Sequence, residues 1–342
     1  MRKTLVFALS MFLAVSQYAT AAPELRGDHP DSYVVVKGDT LWGIAGKFLK
    51  DPWYWPEIWQ VNPQIQNPHL IYPGDMLALV YIDGQPRLTV AQRGDMAGTY
   101  KLSPKKRISE LASAIPAIPL DAIAPFLTNT RIVSEEELSN APYVLLGKHG
   151  NLIVGAGELV YGRGEAPLNA AYGIYRRSTV YSDPDSGEFL GIEARSIASG
   201  RTTEKQGEIV TVSITKSSEE IRQGDRLLQQ DDREINTTFY PSNPEGEVRG
   251  KIIAVVDGVT QIGQYDVVTI NRGTREGMKE GTVLAIYRKG EQVRDPYTKE
   301  IVQLPAGRAG IMMVFRAFEK VSYALILSAE RPLSVLDEVR NP

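Results

Sequence analysis

The stretch Tyr33-Val-Val-Val-Lys-Gly-Asp-Thr-Leu-Trp42 determines the fold expected for the first part of this 342-residue chain. Tyr33 to Val36 is an apolar, β-branched run, which is typical of a buried strand. The next four residues, Lys37 to Thr40, combine a glycine with a residue that caps helices well, so they predict a turn followed by a helix. The stretch therefore predicts a strand, a turn and a helix, in that order.

The residues after Thr40 predict two helices and a second strand. The first helix carries an apolar stripe at positions i, i+3, i+4 and i+7, formed by Leu41, Ile44, Ala45 and Phe48. Asp51-Pro52 ends this helix, and Asn62-Pro63 ends a second short helix that begins at Pro56. Met76 to Tyr81 then predicts the second strand.

Residues 30–82, with this order of elements, resemble a LysM domain, a family that binds polymers containing N-acetylglucosamine. The resemblance depends on the opening stretch and on a closing motif, Asn67-Pro-His-Leu-Ile-Tyr-Pro-Gly-Asp75. It implies that the ligand is a cell-wall glycan, peptidoglycan. We therefore expect an α+β LysM module of strand, helix, helix and strand at this end of the chain.

The ligand is expected where two loops of this module meet. The first N–H groups of a helix have no partner within the helix, so the loop before the first helix can present hydrogen-bond groups to an N-acetyl group. Its residues are Gly38, Asp39, Thr40 and Leu41. The resemblance places the facing wall in the loop before the last strand, which consists of Asn67, Pro68, His69, Leu70, Ile71 and Tyr72. An alternative stays open, in which the polar side chains only cap the helix and Ile71 and Tyr72 belong to the core.

An aromatic segment, Asp51-Pro-Trp-Tyr-Trp-Pro-Glu-Ile-Trp59, holds three of the chain's four tryptophans. Exposed rings could stack on sugars or anchor a protein partner, because Trp and Tyr dominate interface hot spots. Alternatively, the rings fill the small core of the module. We expect the core role for Trp59, and the sequence leaves both roles open for Trp53.

The first 21 residues have the pattern of a signal peptide. Arg2 and Lys3 precede an apolar run from Leu5 to Val15, and Ala19-Thr-Ala21 is a typical cleavage site. Elsewhere the chain has no apolar run of the ~20 residues that a membrane helix needs, so we expect no transmembrane span after cleavage. The chain has no cysteine, which excludes a lipid-modified cysteine and disulfides. Together these features predict an exported, periplasmic protein.

The remainder predicts a packing segment and two mainly-β repeated domains. Residues 87–142 contain prolines and short helix signals, including a capping pattern at Ser134-Glu-Glu-Glu137, and predict a linker that packs on its neighbour. Residues 143–230 and 248–340 are rich in alternating runs between glycine and Asp-Pro turns. Such runs predict antiparallel strands in small barrels or sandwiches.

The two β-rich regions share an internal repeat. Ile174-Tyr-Arg176 recurs 112 positions later as Ile286-Tyr-Arg288. At the same offset, acidic positions match as Asp183 with Asp295, Glu188 with Glu300 and Asp225 with Asp337. A constant offset over such a distance indicates two copies of one β unit.

The order of signal peptide, LysM module with the aromatic segment, and β-rich tail resembles the secretin-associated protein family of type IV pili. The tail stretch from Asp266 to Tyr287 is also similar to the carboxy-terminal domain of a flagellar basal-body ring protein. The resemblance implies a non-enzymatic periplasmic adaptor. In such an adaptor the module binds peptidoglycan while the tail associates with an outer-membrane secretin.

Two other functions stay open. A wall-remodelling enzyme would need a catalytic set, but the chain has three histidines without a ligand motif and no cysteine nucleophile. A glycosidase needs only two carboxylates, so Glu158, Glu165 and Glu188 keep that class open. A general structural protein of the envelope is the other alternative. We expect neither cofactor nor metal, and a net charge of −3 argues against nucleic acid as a partner.

Overall fold

The computed structural model of the chain describes residues 23–59, 71–94, 115–128, 130–148, 150–151, 153–230, 239–255, 262–290 and 292–342. The predicted signal peptide, residues 1–21, and the predicted site residues Asn67, Pro68, His69 and Leu70 lie outside the described residues. Within the described ranges, the helices are all too short or too polar to cross a membrane.

The N-terminal module has the predicted order of strand, helix, helix and strand, and one strand more. Its elements are β1 (Ser32–Val34), α1 (Leu41–Phe48), a 3-10 helix (Pro52–Tyr54), α2 (Trp55–Trp59), β2 (Met76–Ile82) and β3 (Gln85–Gln92). β1 and β3 each pair antiparallel with β2. Asp83 and Gly84 both have positive φ, so they form a two-residue turn of the kind that favours a hairpin between β2 and β3. β3 occupies part of the predicted linker, residues 87–142.

The module core forms where α1 and α2 pack on this sheet. The predicted apolar stripe of α1 is fully buried, and Trp55 and Trp59 of α2 pack in the same cluster. Leu77 of β2 and Leu88 of β3 cover the cluster from the sheet. Because each large apolar side chain contributes about 1.5–3 kcal/mol on burial, this contact accounts for the stability of so small a module.

Three short elements connect the module to the tail: α3 (Leu120–Thr128), β4 (Thr130–Val133) and α4 (Glu135–Asn140). Ser134 Oγ accepts a hydrogen bond from Glu137 N at 2.9 Å and so caps α4, as the sequence predicted.

The tail begins with a closed β-barrel. Its strands are β5 (Tyr143–Gly147), β6 (Leu159–Arg163), β7 (Ala171–Ser182), β8 (Phe189–Gln206), β9 (Ile209–Ser217) and β10 (Arg226–Gln229). Around the barrel they follow the order β5-β6-β9-β8-β7-β10, and β10 pairs with β5 to close it. β4 pairs with β8 as an additional strand.

A second barrel has the same strand order. Its region contains β11 (Arg249–Val255), β12 (Val267–Ile270), β13 (Val283–Arg288), β14 (Gln292–Arg294), β15 (Ile301–Gln303), β16 (Gly307–Ala317), β17 (Ser322–Ala329) and β18 (Glu338–Arg340). The barrel closes in the order β11-β12-β17-β16-β13-β18. Among the described strands, β14 and β15 pair only with each other. They form a hairpin between β13 and β16, at the place where the first barrel has the connected ends of β7 and β8.

The internal repeat extends to individual turns. Asp183 Oδ1 accepts hydrogen bonds from the backbone N–H groups two and three residues ahead, both at 2.9 Å, and Asp295 Oδ1 does the same at 2.7 and 2.9 Å. Asp225 and Asp337 each accept, at 2.8 Å, the backbone N–H three residues before them. These carboxylates stabilise turns that both barrels need, which explains why they stand out in the sequence repeat.

Candidate functional site

The first wall of the predicted site is the loop between β1 and α1. Gly38 has a φ of +97°, a conformation that glycine adopts without a steric cost. The Asp39 carboxylate accepts hydrogen bonds from the Tyr33 hydroxyl at 3.0 Å and from Val36 N at 2.8 Å. Thr40 Oγ1 accepts one from the backbone N–H three residues ahead at 3.0 Å and caps α1. Both side chains thus hold the loop in shape, and the backbone of the loop is what can meet a ligand.

Tyr33 ties this loop to β1. Lys47 Nζ of α1 lies 4.8 Å from the centroid of the Tyr33 ring. Burial, together with the hydrogen bond to Asp39, raises the pKa of Tyr33 above its ordinary value. The hydroxyl therefore stays protonated at physiological pH and continues to donate to Asp39.

The second wall is the described end of the loop before β2. Ile71 is fully buried in the module core, and Tyr72 is half-buried. The buried Asp75 carboxylate accepts a hydrogen bond from Tyr72 N at 3.1 Å. It also accepts from Gly94 N at 3.0 Å and from the Arg93 guanidinium at 2.7 Å. Asp75, which closes the second motif, was not among the predicted site residues, but it fixes the position of this wall.

A segment of the chain itself, residues Ile115–Ile118, lies between the two walls, and we call it the strap. Two N–H groups in the first turn of α1 donate to it. Leu41 N donates to Pro116 O at 3.0 Å, and Trp42 N donates to Ala117 O at 3.1 Å. Leu41 N, one of the donors expected to face the sugar, and its neighbour Trp42 N are therefore bonded to the strap in this structure.

The strap also contacts the second wall. Ile115 N donates to Ile71 O at 2.9 Å, so the strap is hydrogen-bonded to both walls at once. The side chains of Ile115 and Ala117 are buried and pack in the module core. The strap thus occupies the space between the loops in which the sequence placed the ligand.

The strap offers the first turn of α1 the same kind of hydrogen-bond acceptor that was expected from the glycan. A peptide carbonyl and the carbonyl of an N-acetyl group are both amide acceptors, so either can receive a hydrogen bond from the first turn of α1. The sequence contains one signal for this, the run Ser113-Ala-Ile-Pro-Ala-Ile-Pro-Leu120. Prolines favour an extended backbone and remove N–H groups while leaving carbonyl acceptors, which suits Pro116, whose carbonyl accepts from Leu41 N.

The aromatic segment packs inside the chain. Trp53 is buried, and its ring stacks on that of Trp42 with the centroids 6.5 Å apart. The guanidinium carbon of Arg308, on β16, lies 5.3 Å from the centroid of the Trp53 ring. Both tryptophans share a buried cluster with Phe315 of the second barrel. Trp53 therefore joins the module to the second barrel, whereas Trp59 belongs to the module core as expected.

The three glutamates that kept a glycosidase open have separate structural partners. Glu158 accepts a hydrogen bond from the backbone N–H three residues before it at 2.7 Å. Glu165 pairs with a lysine at 2.8 Å, which lowers its pKa. An arginine and a lysine of the second barrel hold Glu188 and lower its pKa from 4.5 to about 2. A general acid needs a raised pKa, which neither Glu165 nor Glu188 has. Within the described ranges, no group of three or more His, Asp or Glu side chains is placed to hold a metal ion.

Comparisons with known proteins bear on the module. The LysM domain family matches the chain at residues 33–79. An uncharacterized protein of Bacillus subtilis strain 168, YqbP, is 43% identical over 60 residues. This similarity covers 15% of the present chain and 27% of that protein. Residues 33–79 are therefore a LysM domain, a module that implies peptidoglycan binding, and mainly-β domains follow it.

Proposed function

We propose that the chain is a non-enzymatic, periplasmic adaptor that binds peptidoglycan and anchors an outer-membrane secretin of the type IV pilus machinery to the cell wall. The LysM domain at residues 33–79 carries the wall-binding part. The resemblance of the whole chain to the secretin-associated family supports the secretin part. The leader pattern in the first 21 residues supports export.

The packing between module and tail supports an adaptor. Trp42 and Trp53 connect the LysM domain to the second barrel through one buried cluster. A hairpin of the first barrel is in turn seated on the second barrel, where an arginine and a lysine hold Glu188. Displacement of the wall-binding module therefore moves the tail with it, which is what a protein that holds two structures together requires.

The strap gives the binding site a closed form. For an N-acetyl carbonyl to bond with Leu41 N and Trp42 N, the carbonyls of Pro116 and Ala117 have to leave, so glycan and strap compete for the same donors. The apparent affinity for glycan is then the intrinsic affinity reduced by the fraction of molecules whose strap is open. The competition makes binding depend on a high local concentration of wall glycan.

Co-sedimentation with purified peptidoglycan tests wall binding with a matched pair of glycines. Gly38 and Gly84 have φ of +97° and +76°, and a Cβ added at either meets no atom within 4 Å. Valine at either position therefore imposes a similar backbone strain, but only Gly38 lies on the first wall. We expect Gly38→Val in the full chain to lose co-sedimentation and Gly84→Val to retain it.

The other outcomes separate the parts of the proposal. Equal binding by both variants would contradict the assignment of the Gly38 loop to the glycan site. If the unmodified chain did not co-sediment, peptidoglycan binding itself would be contradicted. Release of soluble muropeptides into the supernatant would favour the glycosidase. Purification of the tagged full chain from envelopes should recover the secretin. If the secretin is not recovered, the adaptor role is contradicted, whereas the proposal of wall binding is unaffected.

A further inference from the structure

The two barrels meet at a joint in which a hairpin of the first barrel sits on the end of the second. This first hairpin connects β7 to β8. Asp183 Oδ2 accepts a hydrogen bond from Asn271 Nδ2 at 2.7 Å, and both groups are buried. Glu188 pairs with Arg275 at 2.7 Å and with Lys320 at 2.8 Å. The acidic turn of the hairpin is thus held by donors of the second barrel.

Apolar side chains complete this joint. Tyr181 and Leu190 flank the turn of the first hairpin, and both are buried in one cluster with Val321 of the second barrel. We call the receiving surface of a barrel its rim. The rim of the second barrel comprises the residues just after β12 and the turn between β16 and β17. In the joint, the acidic turn of the first hairpin therefore contacts polar and basic side chains of the second rim, and the two apolar flanks contact its apolar part.

The second barrel carries a hairpin of the same design, formed by β14 and β15. Asp295 and Glu300 repeat the two acids of the first hairpin 112 positions later. Val293 and Val302 repeat the two apolar flanks, but they are 38% and 44% exposed. Ile301 beside them is 71% exposed. The second hairpin thus has the contact groups of the first, while its apolar groups face solvent.

The first barrel has a rim at the equivalent place, at the end of β6 and in the turn between β8 and β9. By the register of β6 on β9 and of β12 on β17, Arg163 stands where the second rim has Asn271. By the offset of 112 positions, Glu208 stands where it has Lys320. The side chains of Arg163 and Glu208 are 54% and 67% exposed and pair with each other at 3.0 Å. Ile209, the counterpart of the buried valine in the second rim, is partly exposed. This first rim is therefore accessible.

We propose that the second hairpin of one chain binds the first rim of a second copy, so that copies join head to tail. The joint inside the chain shows what a hairpin of this design binds. Each copy presents one hairpin and one rim that its own described residues leave accessible. Arg163 can donate to Asp295 as Asn271 donates to Asp183. Such a contact is heterologous, so it repeats into a ring or a filament. The inference does not depend on wall binding.

One charge in the first rim opposes the contact. In the proposed contact, Glu208 of one copy faces Glu300 of the other copy, and the two carboxylates repel each other. In the joint inside the chain, Lys320 pairs with Glu188 instead. Glu208 also engages Arg163, the group that would donate to Asp295. The contact between copies is therefore weaker than the joint within one chain, and Glu208→Lys should strengthen it by restoring the internal pattern.

Analytical ultracentrifugation of the full chain without its leader, over a series of concentrations, measures this association. We expect Glu208→Lys to lower the dissociation constant by roughly fivefold or more. Ile301→Lys should raise it by at least as much, because it places a charge in the apolar flank. Tyr81→Lys is the matched control, since Tyr81 is 63% exposed at the end of β2 and belongs to neither surface.

Cross-linking identifies the faces that meet. The chain has no cysteine, so Glu300→Cys and Glu208→Cys each introduce a single thiol. A short bismaleimide should join these two variants when they are mixed, and should not join Glu300→Cys to Tyr81→Cys. Cross-linking no greater than in that control pair would overturn the proposal. So would a Glu208→Lys chain that remains monomeric at about 100 µM.

Discussion

Replacing Ile115 by alanine tests whether the strap closes the glycan site. Three backbone hydrogen bonds, each contributing about 1 kcal/mol net, and the burial of Ile115 hold the strap in place. Truncating a buried isoleucine to alanine costs about 2–5 kcal/mol. Because Ile115 is buried by the closed strap, this cost falls on the closed form. At the lower figure, the ratio of closed to open molecules falls roughly 30-fold.

The apparent affinity for glycan rises with the fraction of molecules whose strap is open. We therefore expect Ile115→Ala to bind soluble peptidoglycan fragments up to roughly 30-fold more tightly than the unmodified chain, as measured by isothermal titration calorimetry. Hydrogen exchange of the Leu41 and Trp42 amides gives a second readout, because both donate to the strap. Ile58→Ala is the matched control, since Ile58 is buried in the same core but belongs to α2.

Two results would refute this reasoning. The first is faster exchange of the Leu41 and Trp42 amides with unchanged or weaker glycan binding, since the donors would then be free without being used by the ligand. The second is an equal gain in affinity from Ile58→Ala, which would assign the effect to general loosening of the module rather than to the strap.

Two further variants test the contact between the two barrels and the contact between the module and the second barrel. The pKa of Glu188 is lowered from 4.5 to about 2, so its carboxylate stabilises the folded chain above about pH 4.5 and loses this effect as the pH falls toward 2. Glu188→Gln should accordingly lower the thermal unfolding temperature at about pH 7. The difference in unfolding temperature between the variant and the unmodified chain should shrink as the pH falls from about 4.5 to about 2. A difference that does not change with pH would contradict this role of Glu188. Trp53→Ala should cost about 3–5 kcal/mol and give the module its own unfolding transition in calorimetry, whereas Trp53→Phe should keep a single transition.

The module could be predicted because its determinants are local. Thr40 caps α1 in the way that the residue type indicates, and the stripe that begins at Leu41 packs on the sheet. The hairpin to β3 also has a local signal, the pair Asp83-Gly84, although residues 87–142 were predicted to form a linker. Caps, breakers and short turns depend on a few neighbouring residues, so they can be recognised in one sequence.

The strap and the strand order of the barrels depend on contacts between distant residues. Pro116 meets Leu41 across 75 positions of sequence, and nothing near either residue indicates the other. The repeat of Asp183 and Asp295 revealed two copies of one unit, because turns need such carboxylates locally. It did not reveal that β6 pairs with β9, since pairing between strands that are separated by two other strands in the sequence has no local signature.

The strap connects the predicted glycan site to the tail because its two isoleucines belong to different clusters. Ile115 packs in the core of the LysM domain, whereas Ile118 packs with Trp42, Trp53 and side chains of the second barrel. A glycan that displaces the whole strap also withdraws Ile118 from the contact between module and barrel. Thermodynamic linkage then requires the reverse effect, so that weakening this contact favours glycan binding to the same extent.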